Sequence, residues 1–298
     1  MNLIEHLFAA ILTENARQAP LLADALRGLL PEERLELDAY LDFEASTGAT
    51  NADLARAYNL VVLDTLREQM FFRRHKRYRH QRFADVANSV YFSDEYMRLY
   101  MKGLALTAYL WPNHVAIRRF FQQEVANGPC RGRYLEVGPG HGLYMAAALR
   151  SGRFSRCVGV DISPTSLELT RAVVGRYAEG ADTSLDLALG DFLAMEVPGR
   201  FDVVVMGEVL EHVERPDAFL ARAYEACSDG GRVFVSTCAN SPATDHIYLF
   251  RHDSEIDALA QAAGLDVVAR LVVPYHGTSL EQSYRESLPV NVAMVLSR

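Results

Sequence analysis

Cysteine is scarce in this chain. Four stand at 130, 157, 227 and 238, far apart and with no Cys-x-x-Cys pair. That spacing argues against a zinc knuckle or a disulfide framework and fits free thiols in a reducing cytoplasm. Basic residues are outnumbered, 30 Lys and Arg against 38 Asp and Glu, giving a formal net charge of −8. A general nucleic-acid binder needs a basic face, so that class is set aside. Long hydrophobic runs are missing as well. Residues 2–12 are apolar but broken by Glu5 and His6, and no later stretch approaches the roughly 18 apolar residues of a membrane span. The expectation is a soluble protein with neither signal peptide nor transmembrane helix. Half of the 298 residues are hydrophobic, enough for one large domain or two ordinary ones.

Strand alternation is absent up to about residue 128, where helical periods take its place. Ile4, Leu7, Phe8 and Ile11 follow the i, i+3, i+4, i+7 rule, and Pro31 opens a second pattern through Leu35, Leu37, Tyr40 and Leu41. Asn51 is the expected cap of a longer helix over 52–78, with Leu54, Ala57, Tyr58, Val61 and Val62 on one side. Residues 1–128 therefore read as an all-α N-terminal domain. Its one dense basic run, 71–82, includes Arg73, Arg74, Lys76, Arg77 and Arg82. It is either a solvated helix end whose cations suit the dipole or a dock for an anionic group or an acidic carrier protein. Residues 92–121 are rich in aromatics, and Trp111-Pro112 splits them into two helical pieces. They either pack the two domains together or supply a substrate wall through Tyr100, Trp111 and His114.

Asn127, Gly128 and Pro129 mark a boundary. Beyond it, over 129–298, short apolar runs alternate with helices. Strands are expected at 133–137, 157–160, 185–189, 201–206, 232–237, 266–273 and 290–296. Such alternation implies an α/β fold with a mostly parallel sheet covered on both faces. The last two runs lack an obvious crossover helix, which suggests an antiparallel hairpin at the sheet edge.

The first of these strands runs into Glu136-Val-Gly138-Pro139-Gly140-His-Gly142. Glycines placed so let the backbone take positive φ and bring a ligand close, next to free amides at a helix start. A dinucleotide fold wants G-x-G-x-x-G, but position 143 is leucine and the third glycine falls at 142. Asp161, beside Ile162, ends the second strand about 20 residues on, where an acid accepts ribose hydroxyls. Asp191 and Phe192 follow the third strand, suited to an adenine amine and ring. Glu208 follows the fourth. The polar groups at these four strand ends lie where open α/β sheets bind ligands.

In this order the motifs resemble a class I S-adenosylmethionine-dependent methyltransferase, close to the ubiquinone-biosynthesis type of small-molecule enzyme, over roughly 130–298. The resemblance implies a Rossmann-like seven-stranded sheet and S-adenosyl-L-methionine as cofactor. It further implies that Glu136 and the 138–142 turn hold the methionine end, Asp161 the ribose, and Asp191 with Phe192 the adenine, with Glu208 near the sulfonium. Pro139 departs from the family's usual small residue and removes one amide donor. His212 is the leading candidate base, with His114, His246 and His276 behind it and Tyr100 as a possible phenolic partner. Tyr248 and His246 belong to a loop that borders the acceptor in the resembling family; His276 belongs to a second possible rim.

Glu208, Glu211 and His212, spaced i, i+3, i+4, would share one helix face and, with His246, match the metal site of small-RNA 2′-O-methyltransferases. The preferred reading is metal-free methylation of a small molecule at O, N or C. Methylation of a carrier-bound or RNA acceptor, and a non-catalytic binding protein of this fold, are the alternatives. Similar small-molecule enzymes often dimerise through N-terminal helices, an analogy that extends to this chain only at the level of fold.

Overall fold

The computed structural model describes residues 2–177 and 184–298. Seven helices come first: α1 (Leu3–Glu14), α2 (Ala19–Gly28), α3 (Pro31–Ser46), α4 (Asn51–His75), α5 (Phe83–Val86), α6 (Asp94–Leu110) and α7 (Pro112–Phe121). Local chemistry sets their ends. Asn2 accepts the Glu5 amide while the Glu5 carboxylate accepts the Asn2 amide, so α1 begins with two amides satisfied. Proline stands in the first turn of α3 and of α7, where its missing N–H costs nothing. The cap of α4 is Thr50 rather than Asn51. The Thr50 hydroxyl takes the Asp53 amide and the Asp53 carboxylate takes the Thr50 amide, which leaves Asn51 as the first helical residue. The helix also stops at His75, short of 78, because Lys76 turns into the left-handed region at φ 53°. Leu35 is 70% exposed, since the buried stripe of α3 runs through Leu37, Tyr40, Leu41 and Glu44 and position 35 lies off it.

All seven expected strands form: β1 (Gly132–Val137), β2 (Phe154–Asp161), β3 (Ser184–Leu189), β4 (Phe201–Gly207), β5 (Cys227–Ala239), β6 (Asp266–Val273) and β7 (Val290–Ser297). They make one sheet in the order β3-β2-β1-β4-β5-β7-β6. The first five are parallel, and β7 runs antiparallel between β5 and β6. Helices α8 (Leu143–Arg150), α9 (Pro164–Tyr177), α10 (Pro216–Ala226) and α11 (Asp253–Ala262) make the crossovers, and a short α12 (Leu280–Glu286) lies between β6 and β7. The central strands β4 and β5 are buried along both faces, which is why Val203 to Met206 and Val233 to Val235 read as unbroken apolar runs. All four cysteines are free. Among the described residues no helix is long and apolar enough to cross a membrane.

One hydrophobic cluster runs from the N-terminal helices into the sheet. Phe121 of α7 stacks on Tyr144 of α8 at 4.2 Å and meets Phe234 of β5 edge-on at 5.2 Å. At the surface Arg98 of α6 pairs with Glu168 of α9, and Thr165 donates to Asp94. Helices α4 and α6 cross closely at Gly103. A Cβ there would lie 2.3 Å from the Ala57 carbonyl oxygen and 2.6 Å from a Val61 methyl. The first of these is backbone of a packed helix and cannot swing aside. We expect Gly103→Ala to destabilise by about 1–3 kcal/mol and to lower the melting temperature by roughly 3–10 °C. An unchanged thermal melt would show that the two helices can separate freely.

Candidate active site

The strand order reverses between β1 and β4, the switch point at which open sheets bind ligands beyond the strands' carboxyl ends. A cavity of about 530 Å³ opens there. Its floor is the glycine turn. Gly138, Gly140 and Gly142 all hold positive φ, at 67°, 53° and 80°. At Gly142 a Cβ would press to 2.8 Å from the Thr170 Cα, so α9 forbids any side chain there. The turn is closed by the Gly142 amide donating to the Pro139 carbonyl and by the Gly138 amide donating to Val160. Met101 of α6 sits directly above, with its sulfur 3.2 Å from where a Gly140 Cβ would be. Met101 of the aromatic-rich segment therefore lies over the turn.

Glu136, Pro139, Asp161, Ile162, Asp191, Phe192 and Glu208 all line this cavity. Glu136 is buried and accepts the Tyr134 hydroxyl at 2.8 Å. Desolvation pushes its pKa up to about 8, against the lowering effect of that hydrogen bond. Burial likewise lifts Asp161 to about 6, although it accepts the Ser163 amide at 2.8 Å and the Gly140 amide at 3.4 Å. Glu208 sits at φ 52° with one carboxylate oxygen buried and unpartnered, and burial raises its pKa also. None of the three forms an ion pair among the described residues. Asp191 is exposed, with one oxygen taken by the Leu193 amide, and Phe192 is buried against Phe219.

The other wall carries His212. Its Nδ1 lies 3.2 Å from the Asp245 carbonyl oxygen and 3.3 Å from the Asp245 carboxylate. That carboxylate, almost fully buried, also accepts the hydroxyls of Tyr91 at 3.2 Å and Tyr100 at 3.1 Å. The His246 ring packs edge-on to His212 at 4.7 Å, and its Nδ1 is 2.6 Å from the Ser241 carbonyl. Burial lowers His246 to about 3, so it is a neutral ring donating from Nδ1. His114 is also held neutral by burial, near 4, with Nδ1 on the Thr107 hydroxyl and its ring against Trp111.

Three expectations need correction. Glu208, Glu211 and His212 do not share a helix face, because Glu208 ends β4 in a left-handed turn and residues 210–212 form a single 3₁₀ turn. Glu211 is instead fully buried, taking the Thr237 hydroxyl at 2.6 Å, and its pKa lies well above the usual range from burial and the neighbouring Glu208. The ligand-type clusters that do form among the described residues are Glu211 with Cys238 and His246, and His212 with Asp245 and His246. Tyr248 faces away from the cavity: its ring packs on Phe250, and it lines a separate surface depression. His276 is exposed in the loop after β6 and lies outside the cavity. Tyr91 and His141 carry no signal in the sequence, and Asp245 is marked there only as part of the 245–248 loop. His141, inside the glycine motif, lines the cavity as a ring held neutral by burial, near pKa 4.

Fold and site together define the class, an S-adenosylmethionine-dependent methyltransferase of class I. A family model described as a methyltransferase domain matches residues 113–284, more than half of the chain, and the chain belongs to that family. Among curated relatives, the ubiquinone biosynthesis O-methyltransferase of Pseudomonas entomophila is 28% identical over 179 residues, covering 54% of this chain and 75% of that protein. That of Neisseria meningitidis is 29% identical over 181 residues, with the same coverage. Among solved structures, the phosphoethanolamine N-methyltransferase 2 of Haemonchus contortus in complex with S-adenosyl-L-methionine shares the fold. It does so at a TM-score of 0.52 and 15% identity, over 72% of this chain and 60% of that one.

Proposed function

We propose that this enzyme methylates a hydroxyl of a small acceptor held between the sheet edge and helices α4 and α6, with His212 taking the hydroxyl proton. The observation that supports it most is electrostatic. Glu136 and Asp161, both buried, and Glu208, half-buried with one carboxylate oxygen buried and unpartnered, have raised pKa values and line one cavity without an ion pair among the described residues. Buried carboxylates so placed call for a ligand that brings positive charge and hydroxyl donors. S-adenosylmethionine has both, an ammonium and a sulfonium beside a ribose diol, so the residues present fit it.

In this reading Glu136 and the Gly138–Gly142 turn hold the methionine end, Asp161 the ribose, Ile162 with Asp191 and Phe192 the adenine, and Glu208 faces the cationic centre. Bound, the cofactor supplies a methyl group activated by the sulfonium. The chain's own work is alignment and proton removal. Asp245 fixes the His212 ring through Nδ1–H, which leaves Nε2 as the acceptor for a hydroxyl proton. Met97, Tyr100, Met101, Leu104 and Trp111 give the acceptor wall an apolar, partly aromatic character. The relatives named as O-methyltransferases favour oxygen as the methylated atom.

Mass spectrometry on a metabolite extract incubated with the enzyme and methyl-labelled cofactor would identify the acceptor by its mass shift. Calorimetry tests the cofactor half. Asp161→Ala is expected to weaken S-adenosylmethionine by about 10- to 100-fold, the worth of charge-assisted hydrogen bonds. Equal affinity in that variant would remove Asp161 from the ribose site.

A further inference from the structure

We propose that the surface depression between the end of α4 and residues 247–251 is a phosphate-recognition site for the far end of the acceptor. This rests on the methyl-transfer reading above. The depression, about 270 Å³, is lined by Arg77, Tyr78, Gln81, Tyr248 and Arg251 among others. Arg251 comes from the segment ahead of α11, donates to the Lys76 backbone carbonyl and lines the depression together with Arg77, whose guanidinium donates to the Tyr78 carbonyl. Among the described residues none of Lys76, Arg77 and Arg251 forms an ion pair, whereas Arg79 and Arg82 nearby are neutralised by Glu68 and Asp85. The dipole of α4 accounts for cations in its last turn. It does not account for Lys76 and Arg77, past the helix end, or for Arg251 from another part of the chain. In a protein of net charge −8, like charges gathered at one mouth repel unless an anion joins them. Guanidinium pairs are suited to phosphate oxygens.

The floor of this depression adjoins the active site. Tyr78 is 2% exposed, and its ring meets that of His246 edge-on at 5.8 Å. Its hydroxyl, beside the Ser241 backbone, makes no hydrogen bond of ordinary geometry. His246 in turn touches His212 at 4.7 Å. Tyr78 and the His246 ring behind it thus stand between the cationic mouth and His212, and displacement of both would let an acceptor reach His212 while its phosphate stays on Arg77 and Arg251. The phosphate belongs either to a free phosphate ester or to the phosphopantetheine arm of a carrier protein.

Calorimetry with phenyl phosphate and with 4′-phosphopantetheine, at low and high salt, tests the site. Wild type is expected to bind with an affinity that falls as salt rises, Arg77→Ala/Arg251→Ala to bind at least tenfold more weakly, and Arg77→Lys/Arg251→Lys to retain part of the binding. S-adenosylmethionine affinity should be the same in all three, so loss of phosphate binding is separable from loss of the methyltransferase reading. Tighter binding of phosphopantetheine assigns the site to a carrier arm; equal binding of the two assigns it to a free ester. Absence of binding, equal binding in wild type and the alanine variant, or stronger binding of a short single-stranded oligonucleotide would each overturn the proposal.

Discussion

His212→Ala is expected to lower turnover by about 10²–10⁴-fold, the usual worth of a positioned general base, while S-adenosylmethionine binds as before. The geometry behind this is the pair His212 and Asp245. The Asp245 carboxylate is buried and takes the Tyr91 and Tyr100 hydroxyls as well as facing His212 Nδ1. Such a carboxylate orients the ring and stabilises the imidazolium that forms when the proton arrives. Asp245→Asn should therefore also slow turnover, because an amide keeps the shape but not the charge. Tyr91→Phe and Tyr100→Phe should have smaller effects, since each leaves Asp245 with one phenol. Steady-state kinetics with the identified acceptor, alongside cofactor calorimetry, decide the matter. Near-normal turnover in His212→Ala would show that the acceptor arrives already deprotonated or that another group serves as base.

The Tyr91 and Tyr100 hydroxyls come from the helical part of the chain and Asp245 from the loop after β5, so the His212 ring is held across the join between the two. The shared core explains how that join holds its geometry. Phe121, Tyr144 and Phe234 interlock there, and Met101 lies over Gly140. Substitutions at Phe121 or Phe234, which do not line the cavity, should thus reach the chemistry through the packing of the join.

The sheet was legible because most strands are short apolar runs set off by glycine, proline or an acid, and the central strands β4 and β5, buried on both faces, read as continuous apolar segments. The acids at the carboxyl ends of β1 and β2 and just past β3 and β4 were legible for the same reason: a residue at a strand's carboxyl end has its place set by the strand. Side chains on irregular segments were not. Asp245 and Tyr248 are three residues apart in one loop, yet one enters the cavity and the other packs on Phe250 outside it. That outcome depends on the backbone of residues 247 and 248 donating to the Glu211 carbonyl, a contact made across 36 residues that no period reveals. The face shared by Glu208, Glu211 and His212 failed for a related reason. Helical spacing presumes a helix, and the left-handed Glu208 prevents one. Thr50 prevailed over Asn51 as a cap because its partner Asp53 stands three residues on, a pattern that is visible in sequence.

Cofactor affinity is expected to strengthen as pH rises toward 8, and Glu136 is the reason. In the ligand-free protein, burial raises the Glu136 pKa to about 8, so below that pH its carboxyl is mostly protonated. The sign follows from linkage. The folded pKa lies above the unfolded value of 4.5, so the group's contribution to stability is intact below pH 4.5 and is lost progressively as pH rises to 8. Each unit in that window costs about 1.4 kcal/mol per group. A bound ammonium reverses the preference by favouring the carboxylate, so binding below pH 8 must expel the proton. The logarithm of the dissociation constant should then fall by up to about one per pH unit between 6 and 8 and level off above. Asp161, raised to about 6, adds a similar dependence at lower pH. Glu136→Gln cannot ionise, so its slope between 6 and 8 should be shallower by about one, and its melting temperature should decline less over the same range. Calorimetry in buffers of different ionisation enthalpy would count the proton released. Identical slopes for wild type and Glu136→Gln would place the cofactor's ammonium elsewhere and leave Glu136 as a buried partner of Tyr134 alone.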